Sequence, residues 1–465
     1  MINYAKDQET NKSLQHSLRD AVAYSVMTGS GETYLSAFAV FLKATTAQIG
    51  LLASLPPLIG SFAQLLSAWL GRRTRKRKSV ILLGAYLQAA SWLPIIILPM
   101  LYHENAVSIL VGCVVVYYFA GNLVIPQWSS LMGDLVPERR RGRFFARRTG
   151  LASITTFVAL VSAGTVLNFF ATHHNTFLGY IIVFGVAAVA RFVSTYHLNK
   201  MSDPPGKVAK LEVPTNEKWI TRIRGSSFVR FAIFFSLMQF AVAIASPFFT
   251  VFMLRELKFT YFEFMVNTAT SVLFQFITLN TWGRISDIFG NRRILLLTGF
   301  VIPIIPTLWL ISHNFWYLLL VQALSGISWA GYSLSAGNFL YELIPATKRA
   351  TYLAFHNVLA NSGTFFGAML GGYLGTVLPS QLTFAGMTLQ WTGVLSGVFL
   401  LSGIARITVA GLFLPRLREV RSVRAISVTG LIFRVARFNA LSGLIFDIVG
   451  SRRRKSDSSI PYKEN

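Results

Sequence analysis

An all-α polytopic membrane protein, with twelve transmembrane helices in two six-helix bundles and both termini cytoplasmic, is predicted by three observations: composition, the spacing of apolar runs, and an internal repeat. Of the 465 residues 53% are apolar and 13% charged, and the mean hydropathy is +0.53. A water-facing surface cannot be built from that mixture, so lipid is the solvent for most of the chain. The net charge of +25 falls in short Lys and Arg clusters between apolar runs, which assigns it to orientation in a bilayer and argues against a nucleic-acid partner. The single cysteine, Cys113, lies inside an apolar run; it supports neither a disulfide framework nor a Cys-based metal site and reads as packing. The first twenty residues are polar, and the first apolar run carries Glu32 with no small-residue cleavage pattern after it. That run is expected to stay as a helix.

A helix needs about 20 apolar residues to cross the hydrocarbon. Such runs fall near 21–42, 47–70, 80–102, 106–128, 149–170 and 177–198, and again near 229–254, 260–282, 293–312, 315–340, 351–377 and 391–414. Loops on the N-terminal side of the membrane carry 26 Lys and Arg between them, whereas those on the other side offer only Lys43, Arg255 and Lys258. This asymmetry places both termini in the cytoplasm. The polar stretch 199–228, with Pro204, Pro205 and Pro214, reads as a linker between an N-terminal bundle, 1–198, and a C-terminal bundle, 229–414, followed by a basic cytoplasmic tail, 415–465.

The halves resemble each other. FLKATTAQI at 41–49 matches ELKFTYFEF at 256–264, pairing Lys43 with Lys258 and Gln48 with Glu263, and Ala190-Arg191 matches Ala405-Arg406 at the same offset of 215. GDLVPERRRGRFF at 133–145 matches YELIPATKRATYL at 341–353, aligning Asp134 with Glu342, Pro137 with Pro345 and Arg141 with Arg349. Three matches in one order, each at the same place relative to the spans, indicate a six-plus-six parallel repeat.

Gly283-Arg284-Ile285-Ser286-Asp287-Ile288-Phe289-Gly290-Asn291-Arg292-Arg293 follows the pattern G-x-x-x-D-x-x-G-x-R-R. On this stretch, and on GDLVPERRRGRFFARR, the chain resembles the major facilitator superfamily of secondary transporters over roughly 18–414. The resemblance implies a cytoplasmic latch built from Gly283, Asp287, Gly290, Arg292 and Arg293. The matching N-half loop, residues 71–78, keeps the basic cluster and has no acid. The resemblance also implies that the first, fourth, seventh and tenth spans line a cavity, which selects Glu32, Tyr34, Asn122, Gln239, Gln322 and Trp329 as coupling or substrate residues.

Glu32 lies mid-span, where a carboxylate is costly unless paired, protonated or hydrated. It serves either coupling and substrate contact or a structural bond between helices. The repeat sets Ser246-Pro247 opposite Gly31-Glu32, so a bend is expected in the seventh span at the depth of that charge. Arg191 and Arg406 sit about two turns from the cytoplasmic ends of their spans, where a long side chain is expected to snorkel to the interface. Asp134, Arg141, Glu342 and Arg349 are expected to form cytoplasmic ion pairs that gate. Gly363, Gly367 and Gly371, and Thr155, Ala159 and Ala163, mark small faces where helices approach. The tail, with eleven Lys and Arg, reads as an amphipathic piece on anionic inner-leaflet lipid, a flexible tail, or an inserted segment.

Without a phosphate loop, clustered metal ligands or a nucleotide-binding domain, neither an enzyme nor an ATP-driven pump is expected, and no cofactor is implied. The expected function is a secondary carrier in the cytoplasmic (inner) membrane, moving a small solute by alternating access with proton coupling as one option. A non-transporting sensor or scaffold on the same fold is the alternative.

Overall fold

The computed structural model describes residues 7–74, 77–137, 141–203, 226–344, 349–378, 381–384, 387–390, 394–417 and 419. Its helices are α1 Gln8–Ser30, α2 Leu35–Phe41, α3 Thr46–Thr74, α4 Arg77–Ala90, α5 Trp92–Leu101, α6 Ala106–Leu135, α7 Arg141–Thr172 and α8 Thr176–Asn199, then α9 Ser227–Ala243, α10 Phe248–Val251, α11 Tyr261–Phe289, α12 Asn291–Val301, α13 Ile304–Leu308, α14 Phe315–Leu343, α15 Arg349–Val377 and α16 Val394–Phe413. A π-helical turn, Phe252–Glu256, follows α10. Ten helical stretches are long and apolar enough to cross a membrane. Helix also occupies the positions expected for the first and eleventh spans. Between α15 and α16, where only a loop is expected, β1 Gln381–Phe384 pairs antiparallel with β2 Met387–Gln390. The first helix begins at Gln8, well before the expected start, with Asp7 capping it by accepting from the Thr10 N–H.

The repeat reappears in backbone detail. Lys43 and Lys258 both turn through positive φ, 60° and 54°, a conformation that is uncommon outside glycine. Two residues on, the same cap is built twice. The Gln48 carboxamide accepts from the Thr45 N–H at 2.8 Å while the Thr45 hydroxyl accepts from the Gln48 N–H at 3.2 Å. Thr260 and Glu263 repeat this reciprocal pair with the same two distances. Such boxes satisfy otherwise orphaned N–H groups at a helix start.

Helices before residue 200 pack chiefly on one another, as α1 on α7 and α8, and α3 on α6; those after 226 do likewise, as α9 on α15 and α11 on α14. The two sets meet through α3 with α15 and α7 with α11. Small residues make these approaches possible. A side chain on Gly363, Gly367 or Gly371 would strike the main-chain oxygen of Ser236, Phe240 or Ile244 respectively, so two helices run together with carbonyls of one against the bare backbone of the other. The small face on α7 does the same for α1, since Gly29 rests against the Thr156 carbonyl and Ala159.

Two substitutions test this packing. Gly367→Val is expected to cost about 1–3 kcal/mol through overpacking, read as a fall in the thermal midpoint of purified protein. Gly112→Ala, where an added Cβ meets nothing within 4 Å, is expected to leave the midpoint unchanged.

Candidate functional site

The first membrane helix is broken where it carries its acid. α1 ends at Ser30; Gly31 follows with its N–H bonded to the Met27 carbonyl, and Glu32–Tyr34 form a single 3-10 turn before α2 resumes. The expected bend in the seventh span is present, and α9 stops at Ala243 and restarts after Pro247. The break in the first span is an addition to the expectation, and it stands at the repeat-equivalent position. Proline accounts for the second interruption. In the first, the fully buried Trp92 packs so tightly on Gly31 that no Cβ fits there.

Glu32 is half-buried, and its carboxylate accepts from the Tyr117 hydroxyl at 3.4 Å. Trp92 crosses Tyr117 edge-on at 5.1 Å. The other candidates divide. Asn122 accepts from the Gln64 carboxamide at 2.7 Å, and Gln64 in turn accepts from Asn357 on α15 at 3.5 Å, which makes a polar chain across the contact between the two sets of helices. Tyr34 is fully buried and donates to the Leu160 carbonyl at 2.8 Å, with Phe264 edge-on at 6.1 Å. Gln322 donates to the fully buried Asn267 at 2.8 Å and so ties α14 to α11. Gln239 is half-buried on α9, and Trp329 lies edge-on to the buried Tyr332 at 5.6 Å. Among the described residues, none of these six bonds another by side chain.

His356 escaped the sequence reading. It is 5% exposed and lies 4.8 Å from the Phe235 ring, which also stacks on Tyr332. It belongs to the same aromatic wall as Trp329, but one histidine in an apolar helix gave no pattern to read.

At the ends of the helices, Arg77 is the hub. Its guanidinium bonds Asp134 and Asp203, both at 2.6 Å, so the acid missing from the 71–78 loop arrives from the end of α6 and from beyond α8. The repeat recreates half of this arrangement: Arg292 donates its N–H to Glu419 at 2.9 Å and its Nε to the Leu417 carbonyl at 2.5 Å. Glu342 accepts from the buried Asn291 at 2.7 Å, and Asn291 accepts from Ser286 at 2.6 Å. Gly290 links α11 to α12 at φ 84°, which explains the glycine there. Gly283 lies inside α11, and Arg293 lies in the first turn of α12. The side chains of Asp287, Arg141 and Arg349 lie outside the described residues, as do most of the 199–228 linker and nearly all of the tail.

The two repeated arginines correct an expectation. Arg191 and Arg406 do not reach for the interface: each is 2% exposed. Arg406 bonds Ser402 at 3.0 Å and the Ile302 and Val242 carbonyls at 3.3 Å. Arg191 bonds Ser194, which donates to Asp20, each at 2.7 Å. Helix packing supplies acceptors deep in the protein, so the guanidiniums need not travel. Asp20, 3% exposed and paired to Arg148 at 3.2 Å, falls before the expected first span, where the apolar pattern gives no sign of it. Among the described residues, no cluster of three His, Cys, Asp or Glu could hold a metal ion.

Comparison with known proteins agrees with this architecture. The model of the MFS_1 like family matches residues 23–385. Relatives include multidrug resistance protein MdtG of Proteus mirabilis, 30% identical over 102 residues, 22% of this chain and 25% of that protein. The vacuolar membrane amino acid uptake transporter fnx2 of Schizosaccharomyces pombe is 29% identical over 92 residues, 20% of this chain and 16% of that protein. The matched segments thus span a quarter or less of these relatives. Among solved structures, a bacterial homologue of the human lysosomal transporter spinster, inward-facing and unoccupied, superimposes with a TM-score of 0.65 at 13% identity, over 90% of this chain and 100% of that one. A D-xylose-proton symporter gives 0.65 at 13%, over 89% and 99%. At such identities these likenesses concern the fold alone.

The Arg77 hub is open to test by stability. Arg77→Met strips two carboxylates of their partner and is expected to cost about 1–2 kcal/mol, less than a fully buried pair because both acids meet solvent. Asp134→Asn, at a side chain 40% exposed, is expected to cost about 0.5–1 kcal/mol. Thermal melts of the two single variants and the double variant measure the coupling.

Proposed function

The chain belongs to the MFS_1 like family, and from that premise we propose that it is a secondary active transporter moving a small solute across a membrane by alternating access. It is an integral, multi-pass membrane protein; we place it in the cytoplasmic (inner) membrane with twelve crossings and both termini inside. In this reading residues 1–198 and 229–414 are two six-helix halves, 199–228 links them, and the tail 415–465 lies on anionic lipid.

The observation that carries the reading is the seam between the halves. At the end bearing Lys43 and Lys258, Arg255 donates to the Ala44 carbonyl at 2.5 Å, the Tyr180 and Tyr261 hydroxyls meet at 3.2 Å, and the Phe262 N–H reaches Asn168 at 3.3 Å. Gly372 rests on Ala47, and Gly375 on Thr46. At the opposite end Arg77 bonds Asp134 of its own half and Asp203 at the start of the linker, and Arg292 bonds Leu417 at the start of the tail. A molecule clasped across the halves at the outer end, whose described ion pairs at the inner end do not cross from one half to the other, suits an inward-facing arrangement, one of the two states that a rocking carrier needs.

Glu32 and Pro247 stand at the interruptions of repeat-equivalent spans, which supports a solute site bordered by these unwound segments. Glu32 is the coupling residue in this account. Tyr34, Asn122, Gln239, Gln322 and Trp329 shape the cavity or brace it, and Asp134, Arg141, Gly283, Asp287, Gly290, Arg292, Arg293, Glu342 and Arg349 form the inner gate. The cargo is a small solute, with protons as the coupling ion. A sensor on the same fold would bind solute without moving it.

Two experiments test this. In proteoliposomes, Glu32→Gln is expected to keep solute exchange while losing accumulation driven by a pH gradient; equal accumulation by variant and wild type would confine Glu32 to packing. The seam can be locked. In a Cys113→Ala background, Thr46→Cys with Gly375→Cys places two Cβ atoms about 3.6 Å apart, within the disulfide range. Oxidation should abolish exchange and reductant restore it; undiminished exchange by the cross-linked protein would rule out opening at this end.

A further inference from the structure

A cavity of about 250 Å³ opens among α1, α6, α7 and α8, and its wall includes Asp20, Tyr24, Trp128, Arg148 and Arg191. Glu32, twelve residues beyond Asp20 along the first membrane segment, is not among its lining residues. Two guanidiniums and one carboxylate share this wall. Asp20 holds both arginines, bonding Arg148 directly at 3.2 Å and Arg191 through the Ser194 hydroxyl, whose two bonds are each 2.7 Å. Each guanidinium also lies over an aromatic ring, Arg148 at 4.3 Å from the Trp128 centroid and Arg191 at 5.0 Å from that of Tyr24.

The charges leave a surplus of one positive unit in a half-enclosed, largely apolar space. Three N–H donors of the same wall, Arg148 Nε, Arg191 Nε and Trp128 Nε1, are buried without an acceptor among the described residues. Buried donors are nearly always paired, so a cluster without acceptors calls for an explanation. An anion entering the cavity would supply both the missing charge and the missing acceptors, and guanidinium geometry suits a carboxylate or phosphate in particular.

We propose that this cavity is a binding site for a small organic anion, a carboxylate-bearing solute with an apolar or aromatic body, and that Asp20 occupies the place of the ligand's negative charge while the site is empty. The cavity is lined by the first half alone, apart from the solute site bordered by Glu32 and Pro247, so the inference goes beyond the carrier reading and takes the anion as a ligand of that half. Arg148 is the better-placed contact: its side chain is 21% exposed, whereas Arg191 is held from behind by Ser194. Tyr24 and Trp128 offer ring faces to the apolar part of the solute. The volume suits a molecule smaller than those filling drug-sized pockets, which begin near about 300 Å³.

The test uses a matched set of nearly equal shape and different charge: benzoate, benzamide and benzamidinium, with succinate and inorganic phosphate as further anions, titrated against the purified full-length chain. Benzoate or succinate should bind, and benzamide and benzamidinium should not. Asp20→Asn removes the competing charge and should tighten binding of that anion about threefold or more, while Arg148→Gln should weaken it about tenfold, as a single charge at close range can do. Since Arg148→Gln strands a buried acid, the double variant Asp20→Asn with Arg148→Gln keeps the wall balanced and should bind as weakly as Arg148→Gln. A purely structural ion pair predicts that both single changes lower stability and leave ligand affinity alone. That result, equal binding of benzoate and benzamide, or no anion of the panel bound at millimolar concentration would overturn the proposal. Flux separates it from the carrier reading. Solute exchange by a protein that binds none of the anions overturns the anion site alone, and anion binding by a protein that exchanges no solute overturns the carrier alone.

Discussion

Within hydrocarbon every backbone N–H and C=O must find its partner inside the protein, and that constraint decides where this chain can stop being helix. Its two mid-segment interruptions keep their main-chain bonds by tightening. The Tyr34 N–H reaches the Gly31 carbonyl at 3.0 Å, and the Ser246 and Phe248 N–H groups reach Val242 and Ala245 at 3.0 Å each. Side chains satisfy carbonyls freed nearby, as Thr33 does for Thr28 at 3.0 Å and Ser30 for Val26 at 2.7 Å. The breaks are also shielded, the first by Trp92 and Ala187 pressed on Gly31. Glu32 thus sits on irregular backbone flanked by the Gly31 and Tyr34 main-chain bonds, a place where a side chain can change partners without unravelling a helix.

Much of the architecture was legible because its determinants are local. Apolar run length located the helical segments, and the FLKATTAQI repeat marked something definite: a lysine at positive φ followed by a reciprocal cap, built identically at Thr45–Gln48 and Thr260–Glu263. Short-range geometry of that kind leaves its mark in a few adjacent letters. Pro247 was readable for the same reason. Gly31 was not, since the side chains that crowd it, Trp92 and Ala187, lie far along the chain.

The site was less legible because its partners are remote. Arg191 and Arg406 announced themselves as a repeat, but whether such an arginine turns outward or inward depends on what stands opposite: Ser194 and Asp20 for one, the Ile302 and Val242 carbonyls for the other. Asp20 itself was hidden by polarity. A search for apolar runs starts the first span after it, whereas α1 extends back to Gln8 and carries the acid into the interior. Tyr117 likewise became a partner of Glu32 only when α6 was laid beside α1. Hydropathy finds the lipid-facing surface well and is blind to charges that the protein itself solvates.

The distribution of strong and weak contacts fits a molecule that moves as two bodies. At the helix ends away from Lys43 and Lys258 the fastening is by charge: Arg77 binds the end of α6 and Asp203 beyond α8, and Arg292 binds the residues after α16. Between the two sets of helices the seam at the Lys43 and Lys258 end is made of small-residue contacts and a handful of hydrogen bonds, of which the Arg255 donations to Ala44 and Val40 bear a formal charge. Bonds to a charged group contribute about 1.5–3 kcal/mol and neutral ones about 1 kcal/mol, much of it recovered from water on opening. A solute therefore needs only a few kcal/mol of preference for one arrangement to shift the balance. Placing the strong ties inside each half and the weak ones across the seam lets binding energy move the halves without loosening either.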